Sequence, residues 1–414
     1  MKTTLLISLF ITGMCSQVSA AEAGSLEQLV AGFWNAVSPE ERQLAQQRLL
    51  GADVTVDTLY RALKKGPAYS ADVAVGYQEL TREALDGTSF PYVLLVPETY
   101  DPSRSYPVEF LLHGGVGRPF PAEPGSWWRS GYDSLRNEDR ITVVPAAWNE
   151  AFWWFPNQAE NLPAILRSVK RRYNVEDNQV TLTGISDGGT GAYFFAFKQN
   201  TDWAAFMPYI GHPGVLRNPA GQASYQLYFE NLMAKPLYIV NGEEDPLYPA
   251  SSLASFVDVL RQANINHVFR AIVGGGHNTR WLPEESAAIE QFKRDNPRDP
   301  LPDRVQWVTD STERFNRNHW LIIDELAQTD QSGMVRVTRN GNIINVSTTG
   351  VESFTLLLNP EEIDFSRPVA IYINDSLRQS ERLTQDLSTL LKWAARDLDK
   401  SMLFTAELTL RVGG

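Results

Sequence analysis

The sequence has little of what a redox, metal or disulfide-held protein needs. Of its 414 residues only Cys15 is a cysteine, and histidine occurs five times. A single thiol forms no intramolecular disulfide, and no histidines show the His-x3-His or His-Glu-x2-His spacing of metal sites. A Walker loop is also missing, because the glycines at 274–276 lack the Lys-Ser/Thr continuation. We therefore predict neither a metal nor another cofactor.

Basic runs are equally scarce. Lys and Arg total 37 against 49 Asp and Glu, for a net charge of −12. Such an acidic chain is unsuited to nucleic acid or an anionic membrane surface. Beyond the N-terminus no stretch reaches the ~18 uncharged apolar residues that span a bilayer. With 43% hydrophobic residues the chain has enough apolar material for two or three domains.

The first 20 residues have the pattern of a cleavable signal peptide. Lys2 precedes an apolar stretch at 5–11, and small residues follow at 18–20. We expect cleavage after Ala20, which would place the mature protein in the periplasm or outside the cell. The alternative, lipidation of Cys15, is disfavoured because a bulky methionine precedes it.

The rest of the chain divides by pattern into three parts. Residues 21–84 carry apolar side chains at helical spacing, which predicts an N-terminal helical segment. In residues 85–296 short Val/Ile/Leu runs alternate with amphipathic segments, which indicates an α/β domain with a doubly wound, mostly parallel sheet. Residues 304–414 alternate with period two and include Asn340-Gly341, a strong hairpin signal. This last part is predicted to be a β-rich, sandwich-like domain.

A candidate nucleophile lies where a predicted strand meets a predicted helix. The residues from Gly184 to Gly188 read Gly-Ile-Ser-Asp-Gly. In that setting flanking glycines let the chain turn sharply and project a serine hydroxyl above the sheet edge. Ser186 is therefore the predicted nucleophile.

A serine nucleophile needs a histidine base and an acid to orient it, in the chain order Ser, acid, His. His277, in a glycine-rich loop after a strand, is the predicted base, whereas His267 begins a strand and His212 precedes the acid. Asp245 is the predicted acid. Its neighbour Glu244 remains the fallback, because Glu also serves as a triad acid.

The oxyanion of acyl transfer requires preorganised donors. One is expected from the backbone N–H of Asp187, which directly follows the nucleophile. The others are expected from Gly114 and Gly115, in the His-Gly-Gly sequence that follows the predicted strand at 108–112.

Together, these motifs resemble the α/β-hydrolase superfamily, specifically its secreted predicted-esterase branch with feruloyl esterases and polyhydroxybutyrate-depolymerase-like proteins. The resemblance covers residues 85–295 and implies an α/β-hydrolase fold with acyl transfer, but no particular substrate. Prolyl-oligopeptidase-type peptidases share this core. The short helical segment ahead of it leaves no space for their propeller, and residues 211–235 are too few for a large cap.

We accordingly predict an exported serine esterase acting on a small-molecule or polysaccharide-linked ester. The tryptophans Trp148, Trp153 and Trp154 lie near the predicted strand ends and are candidates for the substrate wall. Two alternatives stay open: a serine peptidase with the same triad, and a non-catalytic glycan-binding protein on a hydrolase scaffold. The sequence does not indicate the oligomeric state.

Overall fold

The computed structural model describes residues 24–121, 127–129, 137–218 and 223–413. The predicted signal peptide, residues 1–20, lies outside this part of the chain, so export remains a prediction. Within the described ranges, no helix combines the length and apolarity needed to cross a membrane.

Three short helices come first, and each begins at a side-chain cap. Ser25, Ser38 and Thr55 each accept a hydrogen bond from the backbone N–H three residues later, which satisfies one of the free donors of a helix start. The helices are α1 (Leu26–Asn35), α2 (Pro39–Leu50) and α3 (Val56–Lys65).

An eight-stranded sheet forms the centre of the molecule. Its strands are β1 (Gly76–Glu83), β2 (Ser89–Val96), β3 (Tyr106–Leu112), β4 (Ile141–Pro145), β5 (Val175–Ile185), β6 (Ala205–Tyr209), β7 (Leu237–Gly242) and β8 (His267–Ile272). They lie in the order β1-β2-β4-β3-β5-β6-β7-β8. Pairing is antiparallel between β1, β2 and β4 and parallel from β4 to β8. The predicted mostly parallel sheet is confirmed.

Helices cover both faces of this sheet. They are α4 (Pro156–Arg172), α5 (Asp187–Lys198), α6 (Ala254–Gln262) and α7 (Leu282–Asp295). Apolar side chains of α4, α5 and α6 share one core cluster with β3, β4 and β5, whereas α7 packs on the opposite face. Every residue of α5 after Asp187 is buried, so α5 is the central helix of the domain.

A buried charge cluster fixes α7 to the sheet. The Glu109 carboxylate accepts hydrogen bonds from Lys293 Nζ, Arg140 Nη1 and Thr183 Oγ1, each at 2.6 Å. Burial alone would raise the pKa of Glu109, but the two cations outweigh it and lower this pKa to about 2. Glu109 is therefore ionised at neutral pH and holds both cations.

One expectation about the N-terminal segment is wrong. Residues 76–83 fall within the segment 21–84 predicted to be helical, yet they form β1, an edge strand paired antiparallel with β2. Alternate side chains of β1 are exposed, so the strand has only a weak apolar pattern. Its conformation is decided by pairing with the apolar strand β2. The intrinsic propensities of its own residues do not reveal this pairing.

The C-terminal part is a two-sheet module with one helix. Its elements are β9 (Arg304–Thr309), β10 (Arg317–Asn318), β11 (Leu321–Leu326), β12 (Gly333–Asn340), β13 (Ile343–Thr349), β14 (Val351–Leu358), β15 (Val369–Ile373), β16 (Ser376–Glu381), α8 (Leu387–Asp397) and β17 (Ala406–Arg411). The sheets run β10-β11-β14-β17 and β16-β15-β13-β12-β9, and their inner faces share one apolar core. The predicted sandwich-like architecture is confirmed.

This module is joined to the rest of the protein by apolar and ionic contacts. Helix α8 buries its apolar face against α1, α2 and α3. Arg298, after α7, donates to Asp399 Oδ2 at 2.6 Å, and both side chains are buried. Lys170 of α4 also faces Asp399 and donates to Asp177 of β5 at 2.8 Å. The buried carboxylate of Asp399 thus links the sheet domain to the C-terminal module.

Candidate active site

The candidate nucleophile lies in a strained turn between β5 and α5. Ser186 has φ 57° and ψ −116°, a conformation that costs roughly 1–3 kcal/mol for a residue with a side chain. The strain is held by close packing: Ser186 N–H donates to Tyr209 O at 2.9 Å, and a Cβ on Gly188 would lie 2.0 Å from Leu112 O. The glycine allows α5 to start against β3, and the turn projects the serine hydroxyl beyond the sheet edge.

Three side chains from three loops meet at this hydroxyl. His277, after β8, has its Nε2 2.9 Å from Ser186 Oγ, and its Nδ1 lies 2.8 Å from Asp245 Oδ2. Because an ionised carboxylate only accepts, Nδ1 carries the proton and Nε2 is left to accept from the serine hydroxyl. The structure thus brings together the predicted nucleophile, base and acid in hydrogen-bonding order.

Asp245 is held as a carboxylate by its own loop. Its Oδ1 accepts from the backbone N–H of Leu247 at 2.8 Å and of Tyr248 at 3.0 Å. Burial would raise the pKa of Asp245, but these hydrogen bonds together with His277 outweigh burial and lower it. The alternative acid Glu244 is exposed, and its backbone N–H donates to Gly275 O at 2.9 Å.

The His-Gly-Gly sequence lies directly beside the serine. A Cβ on Gly114 would lie 2.9 Å from Ser186 Cβ and 3.4 Å from Ser186 Oγ. Gly115 has φ +69°, a region that favours glycine. The predicted oxyanion residues Gly114 and Asp187 therefore flank the nucleophile from two different loops.

His113 has a positioning role that the sequence did not reveal. Its Nδ1 donates to Gly114 O at 2.8 Å, while its Nε2 accepts from Ala147 N–H at 3.0 Å. Burial lowers the pKa of His113 to about 4, so the ring is neutral at physiological pH. In a trans peptide the C=O and N–H point in opposite directions. By holding Gly114 O, His113 directs the N–H of Gly115 away from itself.

Asp187 connects the two sides of this arrangement. Its Oδ2 accepts from the backbone N–H of Val116 at 3.0 Å, so its side chain holds the loop that carries Gly114 and Gly115. Its own backbone N–H belongs to the first residue of α5 and has no acceptor within the helix. One residue thus places an N–H that is not used within the helix beside the serine, and its side chain fixes the facing loop.

Tyr248 and His212 form a second aromatic feature that sequence reasoning missed. The Tyr248 ring meets the His277 ring edge-on at 6.0 Å and stacks on His212 at 5.8 Å. His212 is itself fixed, since its Nδ1 accepts from Gly214 N–H at 2.9 Å. Burial raises the pKa of Tyr248, with the nearby Asp187 adding to the effect. The sequence signal that could have pointed to Tyr248 was its place three residues after Asp245, in the loop of the predicted acid.

The three tryptophans predicted as the substrate wall are instead core residues. Trp153 is 0%, Trp148 3% and Trp154 6% exposed. The Trp153 indole N–H donates to His113 O at 2.8 Å, beneath the His113-Gly114-Gly115 loop, and Trp148 packs against Phe90. A buried indole cannot stack on a substrate, so their assignment to the wall is corrected. From their positions near the strand ends, these side chains pack under the loops and do not contact a ligand.

Among the residues that the structure describes, no group of three or more His, Cys, Asp or Glu side chains is arranged to hold a metal ion. The groups available at the site are a serine hydroxyl, an imidazole hydrogen-bonded to a carboxylate, and backbone N–H donors.

The strand order together with the serine turn defines the fold of an α/β hydrolase, as the motifs indicated. A family model described as "Dienelactone hydrolase family" matches residues 89–284, which run from β2 into α7 and include the whole candidate site. No curated protein matches the chain. The chain thus has an α/β-hydrolase fold and resembles this family over residues 89–284.

Solved structures similar to this chain include esterases and peptidases. A thermostable esterase is 20% identical with a TM-score of 0.43, over 54% of this chain and 63% of that one. Dipeptidyl peptidase 4 from Porphyromonas gingivalis is 15% identical with a TM-score of 0.40, over 53% and 35%. A ferulic acid esterase from the anaerobic fungus Anaeromyces mucronatus is 15% identical with a TM-score of 0.39, over 55% and 92%. The chain therefore spans less than two thirds of the first two.

Proposed function

We propose that this protein is an exported serine esterase that cleaves carboxylic esters through an acyl-enzyme. The observation that carries the proposal is the continuous hydrogen-bonded series from Ser186 Oγ through His277 to Asp245, with spacings of 2.9 and 2.8 Å. Export rests on the signal-peptide pattern of residues 1–20.

In the proposed reaction His277 Nε2 takes the Ser186 hydroxyl proton as Oγ bonds to the ester carbonyl carbon. The tetrahedral intermediate collapses, the bond to the alcohol oxygen breaks, and His277 gives its proton to that oxygen. Water then attacks the acyl-enzyme, passes a proton to His277, and releases the acid as Ser186 recovers its hydroxyl proton. Asp245 stays ionised throughout and stabilises the imidazolium.

The negative charge of each tetrahedral intermediate is assigned to the backbone N–H groups of Asp187 and Gly115. Both come from elements held in place before substrate arrives: α5 for Asp187, and the His113 and Asp187 side-chain bonds for the Gly115 loop. Preorganised donors cost no reorganisation during reaction, and one such donor typically lowers the barrier by roughly 3 kcal/mol.

The substrate is proposed to contact Tyr248, which lies in the same loop as Asp245. This side chain is fixed by His212 behind it and lies edge-on to His277. Leu247 and Val273, on adjacent loops, are 61% and 85% exposed and give this rim an apolar character. A flat ring beside the base favours esters with a cyclic or aromatic group over flexible chains.

Parallel kinetics test the proposal against its alternatives. The full mature chain is assayed on p-nitrophenyl acetate, methyl ferulate and chromogenic dipeptide anilides, with Ser186→Ala as the control. The proposal expects ester turnover that Ser186→Ala abolishes, together with negligible anilide cleavage. Preferential anilide cleavage would make the protein a peptidase. Absence of any turnover and of fluorophosphonate labelling would leave the glycan-binding alternative.

A further inference from the structure

A groove that no catalytic residue lines crosses the outer face of α4. It consists of two adjoining cavities of about 510 and 430 Å³. The larger lies between α4, the C-terminal end of α5 and the module residues 313–317, and the smaller between α4 and the β1–β2 hairpin. Arg167 and Gln199 line both, so the two cavities form one surface, here called the α4 groove.

Three guanidinium groups of the α4 groove have no carboxylate within ion-pairing distance in the described part of the chain. These are Arg82, Arg167 and Arg396, whereas the neighbouring Arg314 and Arg317 are paired with Glu160 at 3.3 Å and Asp397 at 2.6 Å. In a protein of net charge −12 such a grouping runs against the overall composition.

The unpaired arginines also oppose one another. Burial lowers the pKa of Arg82, and the charge of Arg167 lowers it further, against the opposing effect of Glu160, Asp86 and Glu83. Burial likewise lowers the pKa of Arg396, with Arg317 and Arg167 adding to the effect and Asp397 and Asp202 opposing it. An anion in the groove would relieve this repulsion, and guanidinium groups bind carboxylate and phosphate oxygens in bidentate geometry.

Two amide groups of the groove residues have an oxygen without a hydrogen-bond partner. Gln199 lines both cavities and Asn157 lines the smaller one, and Gln199 Oε1 and Asn157 Oδ1 are buried acceptors with no donor among the described residues, so each amide must turn toward the groove to reach a ligand. A buried acceptor without a donor costs stability. An ionised carboxylate or phosphate cannot supply one, but a hydroxyl can. The groove therefore suits a ligand that carries both acidic groups and hydroxyls.

Acidic side chains are interspersed among these cations. Glu160 lines both cavities, Asp86 the smaller one, and Asp202, Glu313 and Asp397 the larger one. Phe315, half-buried in the larger cavity, adds a flat apolar surface of the kind on which sugar rings stack.

We propose that the α4 groove binds an acidic oligosaccharide, a chain of sugar units in which carboxylates alternate with hydroxyl groups. Arg82, Arg167 and Arg396 bind the carboxylates, and Gln199 and Asn157 accept hydrogen bonds from hydroxyls. The site spans the catalytic domain and the C-terminal module, so both are needed to form it. This binding does not depend on the proposed esterase activity.

Isothermal titration of the full chain with trigalacturonate, at low salt and pH 7, tests the site. The double variant Arg167→Gln/Arg396→Gln is compared with Arg261→Gln/Arg336→Gln, which removes the same charge from exposed positions outside the groove. Losing a hydrogen bond to a charged group typically weakens binding tenfold or more. We expect at least about a tenfold weaker Kd for the groove variant, and a change under about twofold for the control.

Additional ligands and variants sharpen the result. Maltotriose, which lacks carboxylates, should not bind, and Ser186→Ala should bind trigalacturonate like the parent. The thermal unfolding temperature of the groove variant should equal that of the parent, because neither arginine loses an ion pair. If the double variant is destabilised, the single variant Arg396→Gln is compared with the parent by the same change in Kd.

Four outcomes would overturn the proposal. They are no trigalacturonate binding at millimolar concentration, equal binding by the groove variant, equal binding of maltotriose, and equal competition by phosphate, citrate or a short RNA.

Discussion

Replacing Gly114 by alanine tests the proposal that the backbone N–H of Gly115 binds the oxyanion. The added methyl would lie 2.9 Å from Ser186 Cβ and 3.1 Å from Ile185 O. Real Cβ atoms tolerate neither approach without movement, and the nearer neighbours belong to the turn that is itself strained. The loop must therefore move away from the serine by several tenths of an ångström, which lengthens the hydrogen bond from the Gly115 N–H to the oxyanion.

The size of the effect follows from the role of that donor. Losing one preorganised oxyanion donor costs roughly 2.7–4 kcal/mol, a fall of about 10² to 10³ in kcat. Overpacking a tight contact costs roughly 1–3 kcal/mol of stability, which a domain of this size can absorb. We therefore expect Gly114→Ala to fold, to keep a KM within a fewfold of the parent, and to lose about two to three orders of magnitude in kcat.

The same loop offers a matched control. A Cβ on Gly117 would meet nothing within 4 Å, so Gly117→Ala should retain full turnover. The assay is kcat and KM on p-nitrophenyl acetate, with thermal unfolding to confirm that each variant is folded. A folded Gly114→Ala variant with kcat within about fivefold of the parent would refute the assignment.

Three further predictions concern the acid, the substrate rim and pH. Asp245→Asn should lower kcat by roughly 10⁴, because the amide favours the wrong tautomer of the His277 imidazole. Glu244→Gln should lower kcat by under about twofold. If steady-state assays gave the reverse ranking, Glu244 and not Asp245 would be the acid. Tyr248→Leu should reduce the preference in kcat/KM for aryl over alkyl esters by roughly threefold to tenfold, and an unchanged ratio would remove Tyr248 from the substrate wall. Glu109→Gln should lower the free energy of unfolding at pH 7 by roughly 3–5 kcal/mol, because two cations lose a buried partner. Since the pKa of Glu109 is about 2, against ~4.3 in an unfolded chain, its contribution is full above pH ~4.3 and is lost as pH falls through 2. Urea titrations should show the difference between variant and parent shrinking over that interval, and a constant difference would contradict the ion-pair account.

The residues of the proposed triad could be predicted because backbone geometry imposes their positions. A serine turn between strand and helix needs small residues on either side, and the loops after β7 and β8 reach the same sheet edge. In a parallel sheet the carboxyl ends of the strands lie at the same edge, independently of the sequence elsewhere in the chain. Ser186, Asp245 and His277 therefore meet as expected.

Pairing and burial set the features that pattern reasoning missed. β1 is a strand because β2 is beside it. In the C-terminal hairpin, Asn340 pairs with Ile343, so the two loop residues are Gly341 and Asn342, one position later than the Asn-Gly signal suggested. Only Gly341 of this turn has positive φ, as turns with glycine in the first loop position require.

The tryptophans show the limit of reasoning from position along the chain. A loop near the strand ends can face the ligand or pack beneath it, and both alternatives give the same sequence pattern. Trp153 packs beneath the oxyanion loop because its indole N–H finds His113 O. Tyr248 lies beside His277 because Asp245 accepts from its backbone N–H and His212 stacks on its ring. These choices depend on contacts between distant segments.

The most direct test of the account is to trap the covalent intermediate. The mature chain is mixed with p-nitrophenyl acetate, quenched in acid during turnover and analysed by intact and peptide mass spectrometry. The account predicts a mass increase of one acetyl group, located on Ser186, that decays as substrate is consumed and is absent from Ser186→Ala. Rapid ester hydrolysis without any acylated serine, or acetyl located on a residue other than Ser186 and lost on its replacement, would contradict it.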